Sequence, residues 1–259
     1  MANAAIVITN FATSGTVYAS SQVSTMPVAN LLTSHVADRW RSSGTNNTNF
    51  VLDLLSPQTA DTIDLRGLTG SSSTTIRIRL SLTDSSGLTG EVDDSGTLGS
   101  TNFNAEYDAA LYLLASPLSF RYVRVDISDS AASYVEAGTI CVGLREVFTY
   151  NHAPGSGITT VDRSRKTKSS GGQTLTWTDN LYRVFDLSFG WISSTQRYGV
   201  FESMARTNGQ HKNVLLILDT ASTDLARDSI FGLVTSQTPM AWLSVPDIYS
   251  SQLTIEERL

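Results

Sequence analysis

Residues 120–129 read FRYVRVDISD, and this stretch decides the fold class of the chain. Three aliphatic residues alternate with three aromatic or charged ones: Val123, Val125 and Ile127 against Tyr122, Arg124 and Asp126. Alternation with period two, rich in β-branched and aromatic residues, is typical of a strand with one buried face. The stretch therefore predicts a half-buried β-strand.

Working outward, the same kind of pattern recurs through most of the chain. Residues 60–68 alternate Ile63 and Leu65 against Asp64 and Arg66. Residues 74–82 alternate most regularly, which predicts that Ile76, Ile78, Leu80 and Leu82 face inward while Arg77, Arg79 and Ser81 face outward. Further strands are predicted over residues 4–8, 16–18, 50–54, 60–68, 139–148, 158–162, 174–177, 181–189, 213–218, 229–234, 240–245 and 253–257.

Helical structure is predicted in few places. A helix is predicted only over residues 197–207, residues 24–43 fit a helical turn or an irregular loop, and residues 107–114 fit either a strand or a helical turn. The polar run 42–49 is predicted to be a loop.

The chain divides into two predicted domains, 1–150 and 151–259. Residues 151–157, NHAPGSG, carry the proline and glycine of a domain boundary. Charge changes at the same place: residues 1–150 hold 8 Lys/Arg and 14 Asp/Glu, whereas residues 151–259 hold 10 of each. We therefore expect an all-β protein of two units.

Composition argues against several classes of protein. The chain has no basic stripe with interleaved aromatic residues, so we expect no nucleic-acid partner. It has no continuous apolar run of ~18 residues, so we expect no membrane insertion, and its first residues lack the basic region of a signal peptide. The single cysteine, Cys141, precludes an intramolecular disulfide and is expected to be a small strand residue.

Six segments of the first half follow one another in a recognisable order: 40–42 (WRS), 50–54 (FVLDL), 61–68 (DTIDLRGL), 76–81 (IRIRLS), 120–127 (FRYVRVDI) and 139–144 (TICVGL). Through them, residues 30–150 resemble the discoidin, or coagulation factor 5/8 type C, family. The resemblance implies a galactose-binding-like jelly-roll sandwich, although that family's common terminal disulfide cannot form with one cysteine.

A second resemblance is carried by segments 213–219 (NVLLILD), 229–234 (SIFGLV) and 249–259 (YSSQLTIEERL). Through them, the second half is similar to the C-terminal part of tail-tip proteins of long-tailed bacteriophages, of the distal tail or baseplate type. It implies a second β-sandwich or barrel, a place at the tail tip of a virion made in the host cytoplasm, and assembly as a trimeric or hexameric ring. The partners implied are other copies of the chain and neighbouring tail tube and hub proteins.

No motif indicates catalysis, a cofactor or a metal centre. His35, His152 and His211 lie far apart in the sequence and lack the spacing of metal ligands. Adjacent carboxylates at 93–94 and 256–257 point to opposite faces of a strand, so we expect no catalytic pair. The acidic segment 84–94 could supply oxygen ligands to a calcium ion, but it lacks EF-hand spacing, and we predict no cofactor.

Two groups of residues are candidates for binding. Trp40 and Arg41 could begin a ligand-facing loop, because aromatic rings stack on sugars and arginine donates paired hydrogen bonds. The alternative is that Trp40 fills the core and Arg41 pairs with an acid. Four cations in six residues, Arg163, Arg165, Lys166 and Lys168, form either a solvated hairpin tip or a subunit contact with an acidic first unit.

These observations favour a structural virion protein of a tail tip, forming a ring that joins the tail tube to the hub and fibres. The alternative is a carbohydrate-binding, receptor-binding module that acts through its jelly-roll loops on cell-surface carbohydrate. A glycosidase would need two acids ~5–10 Å apart, and nothing in the sequence supports one. We therefore expect no enzyme activity.

Overall fold

The computed structural model describes residues 2–45, 48–243 and 247–259. Strands dominate them, so the all-β prediction is confirmed. The strands are β1 (Ala5–Val7), β2 (Thr16–Ala19), β3 (Trp40–Arg41), β4 (Thr48–Arg66), β5 (Thr74–Ser81), β6 (Asp93–Thr97), β7 (Phe103–Asn104), β8 (Ala109–Asp129), β9 (Glu136–Ala137), β10 (Thr139–Gly143), β11 (Arg145–Val147), β12 (Gly157–Asp162), β13 (Arg165–Lys168), β14 (Thr174–Trp177), β15 (Leu181–Ser193), β16 (Asn213–Ile217), β17 (Ser229–Gln237), β18 (Ala241–Trp242) and β19 (Ile248–Glu257).

Helical structure is short. Two 3₁₀ turns cover Phe11–Ser14 and Val28–Leu32, the second inside the segment 24–43 that could be a helical turn or an irregular loop. The predicted helix 197–207 is present as a π-helical stretch, Arg197–Glu202, between α1 (Ser194–Gln196) and α2 (Ser203–Thr207). No described helix is long and apolar enough to cross a membrane.

The chain forms two compact units whose limits differ from the predicted domains. Unit 1 comprises Met1–Phe148, Lys212–Phe231 and Leu259, and unit 2 comprises Thr149–His211 and Gly232–Arg258. The first boundary lies beside the predicted one at residue 150. The predicted second domain, however, contained residues 212–231, which belong to unit 1 because β16 pairs with β1: Ala5 lies opposite Ile217 and Val7 opposite Leu215.

Unit 1 is built on one sheet that folds over itself. Strands β4 and β8 pair along most of their length, and their register shifts between Asp53 and Gln58 and between Ala60 and Thr62. We call the half containing β2, the start of β4, the end of β8, β5 and β6 the first leaflet. The second leaflet contains the end of β4, the start of β8, β7 and β10.

Side chains of both leaflets form one apolar cluster, which makes unit 1 a β-sandwich. The stretch that decided the fold class behaves as predicted: Val123, Val125 and Ile127 are at most 1% exposed, while Tyr122 and Arg124 are partly exposed. Phe50 from the first leaflet and Ile140 from the second belong to the same cluster.

The second leaflet is buried on both faces. Its outer side packs in a second apolar cluster that contains Leu111 and Cys141 of the leaflet together with Val7, Leu215 and Ile217 of β1 and β16. Strand β1 lies between β11 and β16 in a separate sheet layer. All five residues of β10 are consequently buried.

Four polar residues predicted to face outward are buried. Asp64 and Arg66 alternate with Ile63 and Leu65, yet both are buried, because β1 and β16 cover the outer side of the second leaflet. Arg66 donates to Asp64 Oδ2 over 2.9 Å and to Ser229 Oγ over 2.6 Å. On β5, in the first leaflet, Arg79 and Ser81 are buried as well, and Arg79 donates to the Leu88 carbonyl over 2.6 Å. Leu82, predicted to face inward, is instead 40% exposed.

Unit 2 contains a curved antiparallel sheet in which β15 pairs with β12 and β19, and β19 also pairs with β18 and with β17 from Gly232 onward. Phe189 and Phe201, from β15 and the π-helical stretch, pack edge to face at 5.4 Å. The strand predicted over residues 240–245 is described at Ala241–Trp242, and its residues 244–245 lie outside the described chain. The same is true of residues 46–47 in the predicted loop 42–49.

We predict that Arg66→Met lowers the free energy of unfolding by about 3–5 kcal/mol, because it leaves the Asp64 carboxylate buried without its cation. The matched control is Arg77→Met on β5, whose ion pair with Asp94 is exposed; it should cost less than about 1 kcal/mol. Urea denaturation followed by tryptophan fluorescence measures both values. Equal losses would contradict the burial described here.

Candidate functional site

The short strands β3 and β9 place Trp40 and Arg41 on opposite faces. Trp40 pairs with Ala137 and Arg41 with Glu136, and residues directly opposite each other in an antiparallel pair share a face. Trp40 is fully buried and packs edge to face against Phe50 at 5.5 Å. Its indole N–H donates to the Ser21 carbonyl over 3.1 Å. These contacts match the interpretation in which Trp40 fills the core.

Arg41 lies on the outer face and pairs with Glu136, which was not among the predicted site residues. Arg41 Nε donates to Glu136 Oε1 over 2.5 Å. Glu136 Oε2 accepts from Thr69 Oγ1 over 2.8 Å and from Arg39 Nη1 over 3.3 Å. Burial raises the pKa of the Glu136 carboxyl, but the hydrogen bonds from Thr69, Arg41 and Arg39 outweigh burial and lower it overall.

Around the buried Glu136 carboxylate, several side chains reach solvent. The Arg39 and Arg41 side chains are 31% and 36% exposed, and Asp108 is 48% exposed with its Oδ2 3.9 Å from Arg39 Nη2. The Arg41 guanidinium stacks 4.1 Å from the centroid of the Tyr134 ring. The residues of this group, called the Glu136 cluster below, are Arg39, Arg41, Thr69, Asp108, Tyr134 and Glu136.

Asp108 adds a second, chemically different carboxylate to the cluster. Burial raises its pKa, the Arg39 charge opposes this, and the Glu136 charge adds to it. Its backbone is left-handed with φ 49°, a conformation that aspartate adopts more readily than most residues. The turn brings it immediately before β8, and its carbonyl accepts from Leu68 N over 3.0 Å.

The Glu136 cluster presents hydrogen-bonding groups to solvent. Each guanidinium carries five N–H donors in a planar fork, and the hydrogen bonds described above occupy only some of them. The Asp108 carboxylate accepts hydrogen bonds, and Tyr134 offers both a ring and a hydroxyl. A few converging polar groups held in place by a buried partner are typical of sites that recognise polar small molecules.

The four basic residues of the second candidate group lie on or beside a hairpin. Arg165, Lys166 and Lys168 are in β13, which pairs only with β14 among the described strands. Arg163 precedes the hairpin, and all four side chains are exposed. None of them makes an ion pair within the described chain. Arg165, Lys166 and Lys168 therefore lie in a strand of the hairpin and not at its tip.

In the acidic segment 84–94, Asp84 and Glu91 accept hydrogen bonds from residues close to them in the chain. Asp84 accepts from the backbone and side chains of Ser86 and Thr89. Glu91 accepts from Leu82 and Thr83, and these hydrogen bonds lower the pKa of its carboxyl to about 2. Among the described residues no group of three His, Cys, Asp or Glu side chains is arranged to hold a metal ion.

The adjacent acids and the cysteine considered in the sequence analysis have structural roles. Asp93 accepts from the Tyr112 hydroxyl over 2.8 Å, whereas Asp94 pairs with Arg77, so these neighbours point apart. Glu257 forms an ion pair with Arg183 in unit 2. Cys141 is buried, and burial raises the pKa of its thiol well above the ordinary value.

Sequence reasoning found one residue of the Glu136 cluster and missed five. Of these, Glu136 carried a readable signal, because it is a single acid between Val135 and Ala137 in an apolar run. A charge in such a position has to be paired when it is buried. Arg39, Thr69, Asp108 and Tyr134 carried no such signal, since they come from four loops that only the fold brings together.

No family model and no curated protein matches the chain. Solved structures with partial similarity include the family 32 CBM from C. perfringens NanJ in complex with galactose, 11% identical, covering 55% of this chain and 99% of that one at a TM-score of 0.42. The lectin domain of lectinolysin complexed with Lewis B antigen is also 11% identical, with 52% and 96% covered and a TM-score of 0.41.

A fucose binding module of Streptococcus pneumoniae, SpX-3, is 12% identical, with 55% and 99% covered and a TM-score of 0.40. For a further structure, that of SpGH29, the match spans only 28% of the other chain. At these TM-scores the likeness is coarse, so function has to be inferred from the residues of the chain itself.

The lowered pKa of Glu136 predicts how the unfolding free energy changes as the pH falls. A carboxyl with a depressed pKa in the folded state stabilises the fold above its unfolded pKa, and this stabilisation is lost as the pH falls through the folded value. The difference in unfolding free energy between wild type and Glu136→Gln should therefore shrink between about pH 7 and pH 3. Glu106→Gln, at an exposed loop position, is the control. A difference that is constant with pH would contradict the prediction.

Proposed function

We propose that the protein binds carbohydrate through the Glu136 cluster of unit 1. One observation carries the proposal: a buried carboxylate holds two partly exposed arginines beside a half-exposed aspartate and a tyrosine ring. Sugars present vicinal hydroxyls that both donate and accept hydrogen bonds, which matches a mixed set of guanidinium and carboxylate groups. The sequence resemblance of residues 30–150 to the discoidin family supports the same function.

Each member of the cluster has a distinct role in this proposal. Arg41 and Arg39 donate to hydroxyl oxygens, and Asp108 accepts from hydroxyl hydrogens. Glu136 does not contact the sugar, because Thr69, Arg39 and Arg41 already donate to its oxygens; it positions the arginines. Trp40 contributes only through the core beneath β3.

The proposed activity is binding without turnover. A glycosidase needs two carboxyl groups that flank the glycosidic bond, one of which donates a proton. In the cluster the Glu136 carboxylate accepts three hydrogen bonds and is held ionised, which leaves Asp108 as the only acid that faces solvent. We expect bound oligosaccharide to be recovered intact.

Arg41→Gln should weaken glycan binding at least about tenfold, because the substitution removes N–H donors and leaves hydroxyl oxygens of the ligand unpaired. Arg121→Gln is a closely matched control, since Arg121 also pairs with a carboxylate (Asp53), lies 5.0 Å from a tyrosine ring and is 35% exposed. Binding is measured on a glycan array and then by titration calorimetry, with thermal melting to verify folding. Absence of glycan binding by the wild type, or equal losses in the two variants, would refute the proposal.

A second function is favoured by a different observation. The hairpin β13–β14 is exposed along its whole length, which is unusual for a chain that acts alone. Together with the sequence resemblance of the second half to tail-tip proteins, this supports a structural protein that assembles as a ring in a phage tail tip, between tail tube and hub. The two functions are compatible, since a ring can display carbohydrate-binding units for host attachment.

The ring proposal predicts a defined oligomer. Light scattering of the purified protein should give a single mass that corresponds to three or six copies, and negative-stain images of the same fraction should show rings. A protein that stays monomeric alone and also when mixed with the neighbouring tail tube and hub proteins would refute the ring.

A further inference from the structure

The hairpin of β13 and β14, called the arm below, has two chemically different faces. Residues opposite each other in the register share a face. One face carries Arg165 and Trp177 together with Thr167 and Leu175, and the other carries Lys166, Lys168, Thr174 and Thr176. The arm is therefore apolar with one arginine on the first face and purely cationic and polar on the second.

Nothing in the described chain covers the apolar face. Trp177 is 54% exposed and Leu175 is 46% exposed. All eight strand residues of the arm are exposed, and the arm pairs with no third strand among those described. A two-stranded hairpin is marginally stable in water without packing, and its open edges are templates for pairing with another strand. The arm thus has the features of a surface that is completed by a partner.

The acidic counterpart of the arm lies in unit 1. Residues 163–177 contain four basic residues and no acidic ones, whereas residues 82–97 contain four acidic residues and no basic ones. This acidic segment ends in β6, an edge strand that pairs only with β5 among the described strands. It also exposes two leucines, Leu82 at 40% and Leu88 at 56%.

We propose that the arm of one copy binds the acidic segment and open β6 edge of unit 1 in a second copy. The cationic face lies toward Asp84 and Glu91, which form no ion pair within the described residues, and the apolar face covers Leu82 and Leu88. Opposite charges fix the orientation and accelerate association, and burial of Trp177 contributes most of the affinity, as buried tryptophans do in interfaces. The arm belongs to unit 2 and the acidic segment to unit 1, so each copy carries both binding surfaces.

The test is self-association of the full chain, measured by sedimentation velocity from about 1 to about 100 µM. Trp177→Ser should raise the dissociation constant at least about tenfold, and Leu88→Ser should raise it as well. The controls are Trp191→Ser, also 54% exposed but outside the arm, and Leu55→Ser, 54% exposed in unit 1. All four side chains are exposed, so the variants should fold, which thermal melting verifies.

Charge is tested separately. The double variant Lys166→Glu/Lys168→Glu should weaken association more than Lys212→Glu, an exposed lysine outside the arm, and salt at about 0.5 M should weaken wild-type association.

A monomeric wild type, or association that the Trp177 or Leu88 variants leave unchanged, would overturn the inference. The arm contact and the ring proposed above both require self-association, but different results refute them. Discrete rings that are insensitive to Trp177→Ser would refute only the arm contact. Dimers that depend on the arm would refute only the ring.

Discussion

The burial of the second leaflet on both of its faces is the constraint on which the rest of unit 1 depends. One face closes the sandwich core, and the other is covered by β1 and β16. The cost of this arrangement is a buried ion pair, Arg66 with Asp64, which is tolerable only because Arg66 also donates to Ser229. That hydrogen bond ties residues 212–231 to a sheet formed by the first half of the chain.

Local pattern predicted much of this fold. The alternation at residues 120–129 and 74–82 located two strands and the inward faces of their aliphatic residues, since period-two burial is a local property. It misassigned Asp64, Arg66, Arg79 and Ser81, because a polar residue in an alternating strand is expected to face water. Asp64 and Arg66 are covered by β1 and β16, whose pairing joins residues about 210 positions apart, and no short window contains such contacts. Arg79 is covered by the nearer loop that contains Leu88.

The candidate site was less predictable than the fold for the same reason. Trp40 and Arg41 are adjacent, and pairing with β9 places them on opposite faces: Trp40 fills the core and Arg41 lies on the outer face. Arg41 pairs with Glu136 of β9 and contacts Tyr134, while Thr69 donates to Glu136 and Asp108 pairs with Arg39. By contrast, the arm and its charge lie in one short segment, so the sequence located the basic residues but missed Leu175 and Trp177 as part of the same surface.

The position of β1 has a consequence for how the protein is made. Ala5–Val7 pair with residues of β16 that lie about 210 positions later in the chain, so the outer apolar face of the second leaflet stays uncovered until Leu215 and Ile217 have been synthesised. At about 5–20 residues per second, residues 149–211 take several seconds to emerge. During that interval we expect a nascent unit 1 to expose the apolar face that contains Leu111 and Cys141, which is the kind of surface that chaperones bind.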